Sequence, residues 1–139
     1  MRPDRIIVGE VRGKEAFDML QAMNTGSDGC FSTGHANSVE DMLLRLETMV
    51  LMAAELPLDA IRRQIASAVD IMVHVSRMRD KSRKVVAIKE VDRFENGEII
   101  LNPLYSFEET GGKEQVEGVL KKTGELKHRE KLRLAGYRL

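Results

Sequence analysis

The sequence predicts an α/β fold, a parallel strand–helix–strand unit followed by an antiparallel meander. Three observations predict it. Ile6-Ile7-Val8 and Cys30-Phe31-Ser32-Thr33 are short apolar runs separated by an amphipathic stretch, the layout of a βαβ unit of about thirty residues. Apolar residues then recur at helical spacing between Ser38 and Val69. Further on, Asn96-Gly97 lies between two β-branched runs, a strong hairpin signal.

Each element follows in order. Residues 5–8 read as a strand covered on both faces, because Ile6-Ile7-Val8 is continuous and β-branched. Gly9 breaks the side-chain row, and Glu10 follows. Ala16, Phe17, Leu20 and Met23 mark a helix over 14–23. Asn24-Thr25-Gly26 ends that helix, Gly26 being free to take a left-handed conformation. Ser27-Asp28-Gly29 continues the turn, and 30–33 is the second strand. Ser38 caps a long helix whose stripe is Met42, Leu43, Leu46, Met49, Val50 and Ala53. After Pro57 comes a helix over 58–69, with Ile61, Ile65 and Ala68 inward and Arg62-Arg63 outward. Residues 70–78 alternate, Ile71, Val73 and Val75 against Met72, His74 and Ser76, which is strand patterning. Strands are expected over 84–94 and 98–105 around the Asn96-Gly97 turn. Glu108–Gly112 reads as a linker. Residues 113–139 carry eight Lys/Arg against four Glu and read as two short helices split at Thr123-Gly124, the second over 127–135. The expected organisation is therefore 1–107 as the α/β part and 108–139 as a basic helical tail.

Composition narrows the function classes. The 139 residues are 42% hydrophobic and 32% charged, with zero net charge, so nothing global favours nucleic acid or an anionic membrane. No apolar run approaches the roughly 18 residues of a spanning helix. The charged start, Met1–Arg5, lacks the apolar region of a signal peptide. The single cysteine, Cys30, favours a reducing compartment and reads as a packed small side chain.

The chemistry-bearing residues lie at strand ends. Glu10 stands just past an apolar parallel strand, where open α/β sheets bind ligands. Such a carboxylate either orients an attacking water or a magnesium-bound water, or is a plain charged strand exit. Gly9 occupies a place where many phosphate-hydrolysing motors hold a magnesium-binding aspartate, and glycine cannot bind the ion. Arg12 pairs with Glu10, binds a phosphate, or is solvated. His35 follows Ser32-Thr33-Gly34, where its imidazole either meets a γ-phosphate or bonds into the next helix start. His74 and His128 have no acid or cysteine at metal spacing in the sequence, so no metal site is expected. No Gly-x-x-x-x-Gly-Lys-Ser/Thr loop occurs in the chain, and hence no primary grip on a nucleotide.

Arg2-Pro-Asp-Arg-Ile-Ile-Val-Gly-Glu-Val-Arg12 resembles the Walker B segment of the secretion ATPases of type II and type IV secretion and type IV pili. Gln21-Ala-Met-Asn-Thr-Gly26 and Ser32-Thr-Gly-His-Ala-Asn-Ser38 resemble their histidine box. Arg45-Leu-Glu-Thr-Met-Val50, Ile61-Arg-Arg-Gln-Ile-Ala66, Asp70-Ile-Met-Val-His-Val-Ser-Arg77 and Lys131-Leu-Arg-Leu-Ala-Gly136 extend the likeness, most closely to the CpaF-type tight-adherence (Flp) pilus assembly ATPases. The resemblance implies the C-terminal part of a RecA-like P-loop NTPase domain. It implies that Glu10 is the catalytic glutamate and His35 the second histidine of the box, with Gly9, Arg12 and Thr33 near the phosphates. It further implies a cytoplasmic homo-hexamer that uses ATP and Mg2+ and is peripheral to the inner membrane on a platform protein. No nucleic-acid partner is expected, and no cofactor tightly bound to this chain. Ser27 stands where the family commonly has the first histidine. The Walker A loop, acidic box and N-terminal domain of the family are expected upstream of Met1. The chain alone is then expected to be inactive; the alternative is a non-catalytic interaction module on a degenerate motor scaffold.

Overall fold

The computed structural model describes residues 5–26 and 29–139. The contact pattern divides the chain into two compact units. The first comprises Met1–Asp70 and Arg93–Ile99, the second Ile71–Asp92 and Ile100–Leu139.

In the first unit, β1 (Ile6–Val8) and β2 (Cys30–Ser32) pair in parallel through α1 (Glu15–Asn24). Their register joins Ile6 to Cys30 and Val8 to Ser32. α1 ends at Thr25, and Gly26 has φ +88°, the left-handed conformation expected of it. Ser38 caps α2 (Val39–Ala53) by accepting the Asp41 amide hydrogen at 3.0 Å. α3 (Leu58–Ala68) follows Pro57. The core lies where the three helices meet: Leu20 of α1, Val50 of α2, and Ile61 and Ile65 of α3 are fully buried. Burial of each stabilises the fold by about 1.5–3 kcal/mol.

Two expectations for this unit need correction. The β1–β2 pair is not covered on both faces, since Ile7 is 76% and Phe31 61% exposed. A continuous apolar run shows that both faces suit burial, not that this chain supplies both covers. Arg62 does not point outward. Glu47 of α2 is buried and a buried carboxylate requires a partner. Arg62 donates to it at 2.8 Å and to the Gly97 carbonyl at 2.8 Å. Arg63 instead lies over the Phe94 ring, 4.9 Å from its centroid.

The second unit holds most of an antiparallel sheet in the order β3 (Ile71–Arg77), β4 (Arg83–Glu95), β5 (Glu98–Gly111), β6 (Glu117–Lys122). The β4–β5 turn, whose tip belongs to the first unit, has Asn96 at φ 52° and Gly97 at φ 79°. Two positive φ values match the right-handed twist of a hairpin, which is why Asn-Gly marks it. On β3 the apolar set Ile71, Val73 and Val75 is the open one, and His74 lies on the half-buried side.

Residues 108–111 and 117–122 are strand, joined by a loop over 112–116, not a linker followed by a helix. β5 continues to Gly111, and β6 pairs with it, Phe107 opposite Leu120 and Tyr105 opposite Lys122. A short apolar run does not separate helix from strand by periodicity. Gly118 decides it, because a Cβ there would meet the Phe107 ring at 2.5 Å and also the Glu108 carbonyl oxygen. Only a glycine lets the two strands approach this closely, and glycine weakens a helix. The expected second helix is α4, shortened to Glu130–Leu134. Gly136 at φ +91° ends it, its amide donating to Arg133 O and that of Tyr137 to Leu132 O, both at 3.0 Å.

Carboxylates of β4 bind this last segment. Glu90 on β4 is buried and accepts hydrogen bonds from Asn102 Nδ2 (2.9 Å) and from the amides of Lys127 (2.9 Å) and His128 (3.0 Å). Asp92 accepts from Lys127 Nζ at 3.1 Å and pairs with His128 Nε2 at 2.8 Å. In the β3–β4 turn, Asp80 accepts from the Ser82 hydroxyl and amide and from the Val116 amide, which push its pKa down to about 2.

The His128–Asp92 pair makes the hold pH-dependent. The hydrogen bond to Asp92 raises the His128 pKa above 6.5, despite an opposing burial effect. Its contribution is therefore fully present below about 6.5, the unfolded value, and fades as pH rises through the higher folded value. Amide exchange at Lys127 and His128, corrected for intrinsic rates, should quicken across that window in the native chain but not in His128→Gln. Identical pH profiles for the two proteins would contradict this assignment.

Candidate functional site

The candidate site stands at the carboxyl ends of β1 and β2. After Val8 the chain leaves the ladder through Gly9 and presents Glu10, which is half-buried. Glu10 Oε2 lies 2.7 Å from an Arg12 guanidinium nitrogen, and Glu10 Oε1 lies 2.9 Å from His35 Nε2. The structure thus brings three sequence-predicted residues into one cluster, with a carboxylate between a guanidinium and an imidazole. Arg12 and His35 are largely exposed, at 78% and 82% of their side-chain surface. Their pairing with Glu10 is hence screened by solvent and easily exchanged for another anion.

The electrostatics keep Glu10 ionised. The Arg12 hydrogen bond holds its carboxyl below the usual carboxylate value; partial burial opposes this, and Arg12, His35 and Arg45 reinforce it electrostatically. An ionised carboxylate suits accepting a hydrogen bond from a water and so orienting it, while its lowered pKa makes it a weaker base than an ordinary glutamate.

Thr33 also reaches the cluster, though through the backbone. Its hydroxyl donates to the Gly9 carbonyl, and its own carbonyl accepts the Val11 amide at 2.9 Å. Gly9 itself is open, since an added Cβ would meet nothing within 4 Å. Its backbone does not require glycine, and a side chain would fit there. Ser27, at the position of the expected first histidine, lies outside the described residues, as does Asp28.

Two residues escaped the sequence reading. Glu15 accepts the amides of Arg12 (2.6 Å) and Gly13 (3.1 Å), which holds its pKa down and fixes the loop that carries Arg12. An acid in the first turn of a helix was the available signal. Arg45 acts on Glu10 from α2, across a sequence distance that no local motif reveals.

The residues present fit the γ-phosphate end of a nucleoside triphosphate, and not its whole length. Glu10, His35 and Arg12 offer one base and two donors to an anion, but the chain has no phosphate-cradling loop. Among the described residues no three or more His, Cys, Asp or Glu are grouped to hold a metal ion. A shallow cleft of about 420 Å³ lies elsewhere, lined by Gln21, Asn24, Thr25, Arg63, Gln64 and Ser67. None of the candidate residues lines it, and the chemistry favours the open Glu10 cluster. Among the described residues no helix is long and apolar enough to cross a membrane.

Comparison with known proteins places this geometry in context. A putative conjugal transfer protein of Mycobacterium tuberculosis is 43% identical over 88 residues, which are 63% of this chain and 25% of that protein. The type IV secretion system protein PtlH of Bordetella pertussis is 41% identical over 93 residues, 63% of this chain and 27% of PtlH. The crystal structure of the VirB11 ATPase from the Brucella suis type IV secretion system, in complex with sulphate, superposes with a TM-score of 0.61 at 35% identity. That match covers 65% of this chain and 28% of the other, so the α/β fold expected from sequence is a fold found in VirB11. The chain spans about a quarter of the length of these relatives. The sequence model described as "Type II/IV secretion system protein" matches residues 1–121, and the chain belongs to that family.

Proposed function

We propose that this chain forms the Walker B and histidine-box portion of an ATPase that drives secretion or pilus assembly. The observation that carries the reading is the Glu10 carboxylate held between Arg12 and His35 at the ends of two parallel strands. Glu10 orients the attacking water and accepts its proton. His35, bonded to Glu10, is placed to exchange that partner for a γ-phosphate oxygen, and Arg12 offers a positive charge to the same anion. Bound Mg2+ would neutralise charge developing on the phosphates; phosphates, water and residues beyond the Glu10 cluster would hold it, since Gly9 has no side chain.

The narrower reading is a CpaF-type Flp pilus motor working as a homo-hexamer on an inner-membrane platform protein. Support for it comes from the motifs Ser32–Ser38 and Lys131–Gly136; the relatives described as secretion and conjugal transfer proteins support the broader secretion reading.

ATP turnover tests the reading. The 139-residue chain alone should show no magnesium-dependent hydrolysis, because nothing in it cradles the phosphates. The full-length ATPase carrying this segment should hydrolyse ATP and lose that activity with Glu10→Gln. Hydrolysis by the isolated chain that Glu10→Gln abolishes would refute the expectation that it needs a phosphate loop from elsewhere.

A further inference from the structure

Glu10 is bracketed by a single residue of the neighbouring strand. Thr33 Oγ1 donates to the carbonyl of Gly9, immediately before Glu10, and Thr33 O accepts the amide of Val11, immediately after it, at 2.9 Å. In a regular parallel ladder one residue bonds to both neighbours of its partner through its own amide and carbonyl. Here the hydroxyl donates where that amide would. The ladder pairs Ile6 with Cys30, Ile7 with Phe31 and Val8 with Ser32, so Thr33 should face Gly9. It faces Glu10 instead, one residue out of step. A slip of one residue reverses which face a side chain takes, so the bond that fixes the slip also fixes where the carboxylate points.

We infer that Thr33 is a positioning residue for Glu10: its hydroxyl holds the end of β1 in the shifted register that turns the carboxylate toward Arg12 and His35. The inference rests on the reading of Glu10 as the water-orienting group. Only a β-hydroxyl can do this, and serine retains it while valine keeps the shape without it. Thr33 is exposed, so neither substitution opens a cavity.

The test uses Thr33→Val and Thr33→Ser. In the full-length ATPase, Thr33→Val should lower kcat by about 10–100-fold, the scale of a displacement near 1 Å at a reacting group. KM for ATP should stay within about twofold, because no uniform binding contact is lost. Thr33→Ser should recover most of the rate. In the 139-residue chain, the carboxyl-carbon titration of Glu10 should move toward the ordinary carboxylate value in Thr33→Val and not in Thr33→Ser.

An unchanged kcat in Thr33→Val would overturn the inference. So would a loss confined to KM, which marks a phosphate contact instead, or an unmoved Glu10 titration. The functional reading fails separately: near-normal turnover in Glu10→Gln would sink it, while the Glu10 titration would still decide whether Thr33 holds the carboxylate.

Discussion

Glu10→Gln should lower turnover of the full-length ATPase by roughly two or more decades while leaving ATP binding largely intact. The substitution keeps the size of the side chain and one acceptor oxygen. It removes the negative charge and the capacity to take a proton. Arg12 now lies 2.7 Å and His35 Nε2 2.9 Å from separate carboxylate oxygens. Glutamine satisfies one of these donors and turns an NH2 group toward the other. The cluster thus loses its base and its two-sided grip together. A ground-state contact with nucleotide would show in KM, but a water-orienting group acts on the transition state, so the effect should fall on kcat. The measurement is steady-state hydrolysis beside equilibrium ATP binding. Near-normal turnover, or lost binding with unchanged kcat, would remove Glu10 from the catalytic role. Since the Arg12 hydrogen bond lowers the Glu10 pKa, the group is ionised at neutral pH and stays so to a lower pH than an ordinary glutamate. Activity should not fall with the titration of a normal glutamate on the acid side.

The second large effect is on stability. Glu90→Ala should destabilise the second unit by roughly 2–4 kcal/mol, since it strips three donors of a charged, buried acceptor. Those donors are Asn102 Nδ2 and the amides of Lys127 and His128. The two amides belong to the segment after β6, so the loss should be local first: faster exchange at Lys127 and His128 and tryptic cleavage there before global unfolding. Burial pushes the Glu90 pKa up, but hydrogen bonds from Asn102 and the two amides outweigh it, leaving the value lowered. Its contribution is present above the ordinary glutamate pKa of about 4.3 and fades as pH falls through the lower folded value. Unchanged protection of both amides in Glu90→Ala would show that the segment is held by other means, such as the contacts of Lys127 and His128 with Asp92.

Local rules served well where one element carried its own signal. Ser38 caps α2 because a hydroxyl three residues before a free amide reaches it, and Asn96-Gly97 turns because both residues accept positive φ. The parallel β1–β2 pairing follows from two apolar runs and the helix between them. Glu10 and His35 were legible as strand-end polar residues, each with an ordinary alternative. The structure adds that they meet, His35 Nε2 lying 2.9 Å from Glu10 Oε1, a contact between two strand ends that no local pattern encodes.

The amino-acid sequence by itself determined the α/β class, the first three helices, the hairpin and the polar residues at the strand ends, since each depends on periodicity or turn chemistry within a few neighbours. Tertiary structure alone decided that 117–122 is a strand, because Gly118 matters only beside Phe107. It alone showed that Arg62 turns inward to Glu47, and that Glu90 and Asp92 hold Lys127 and His128. It also gave Thr33 its place around Glu10. In each case a polar group or a missing Cβ is answered by a residue far along the chain, and no local pattern encodes which one.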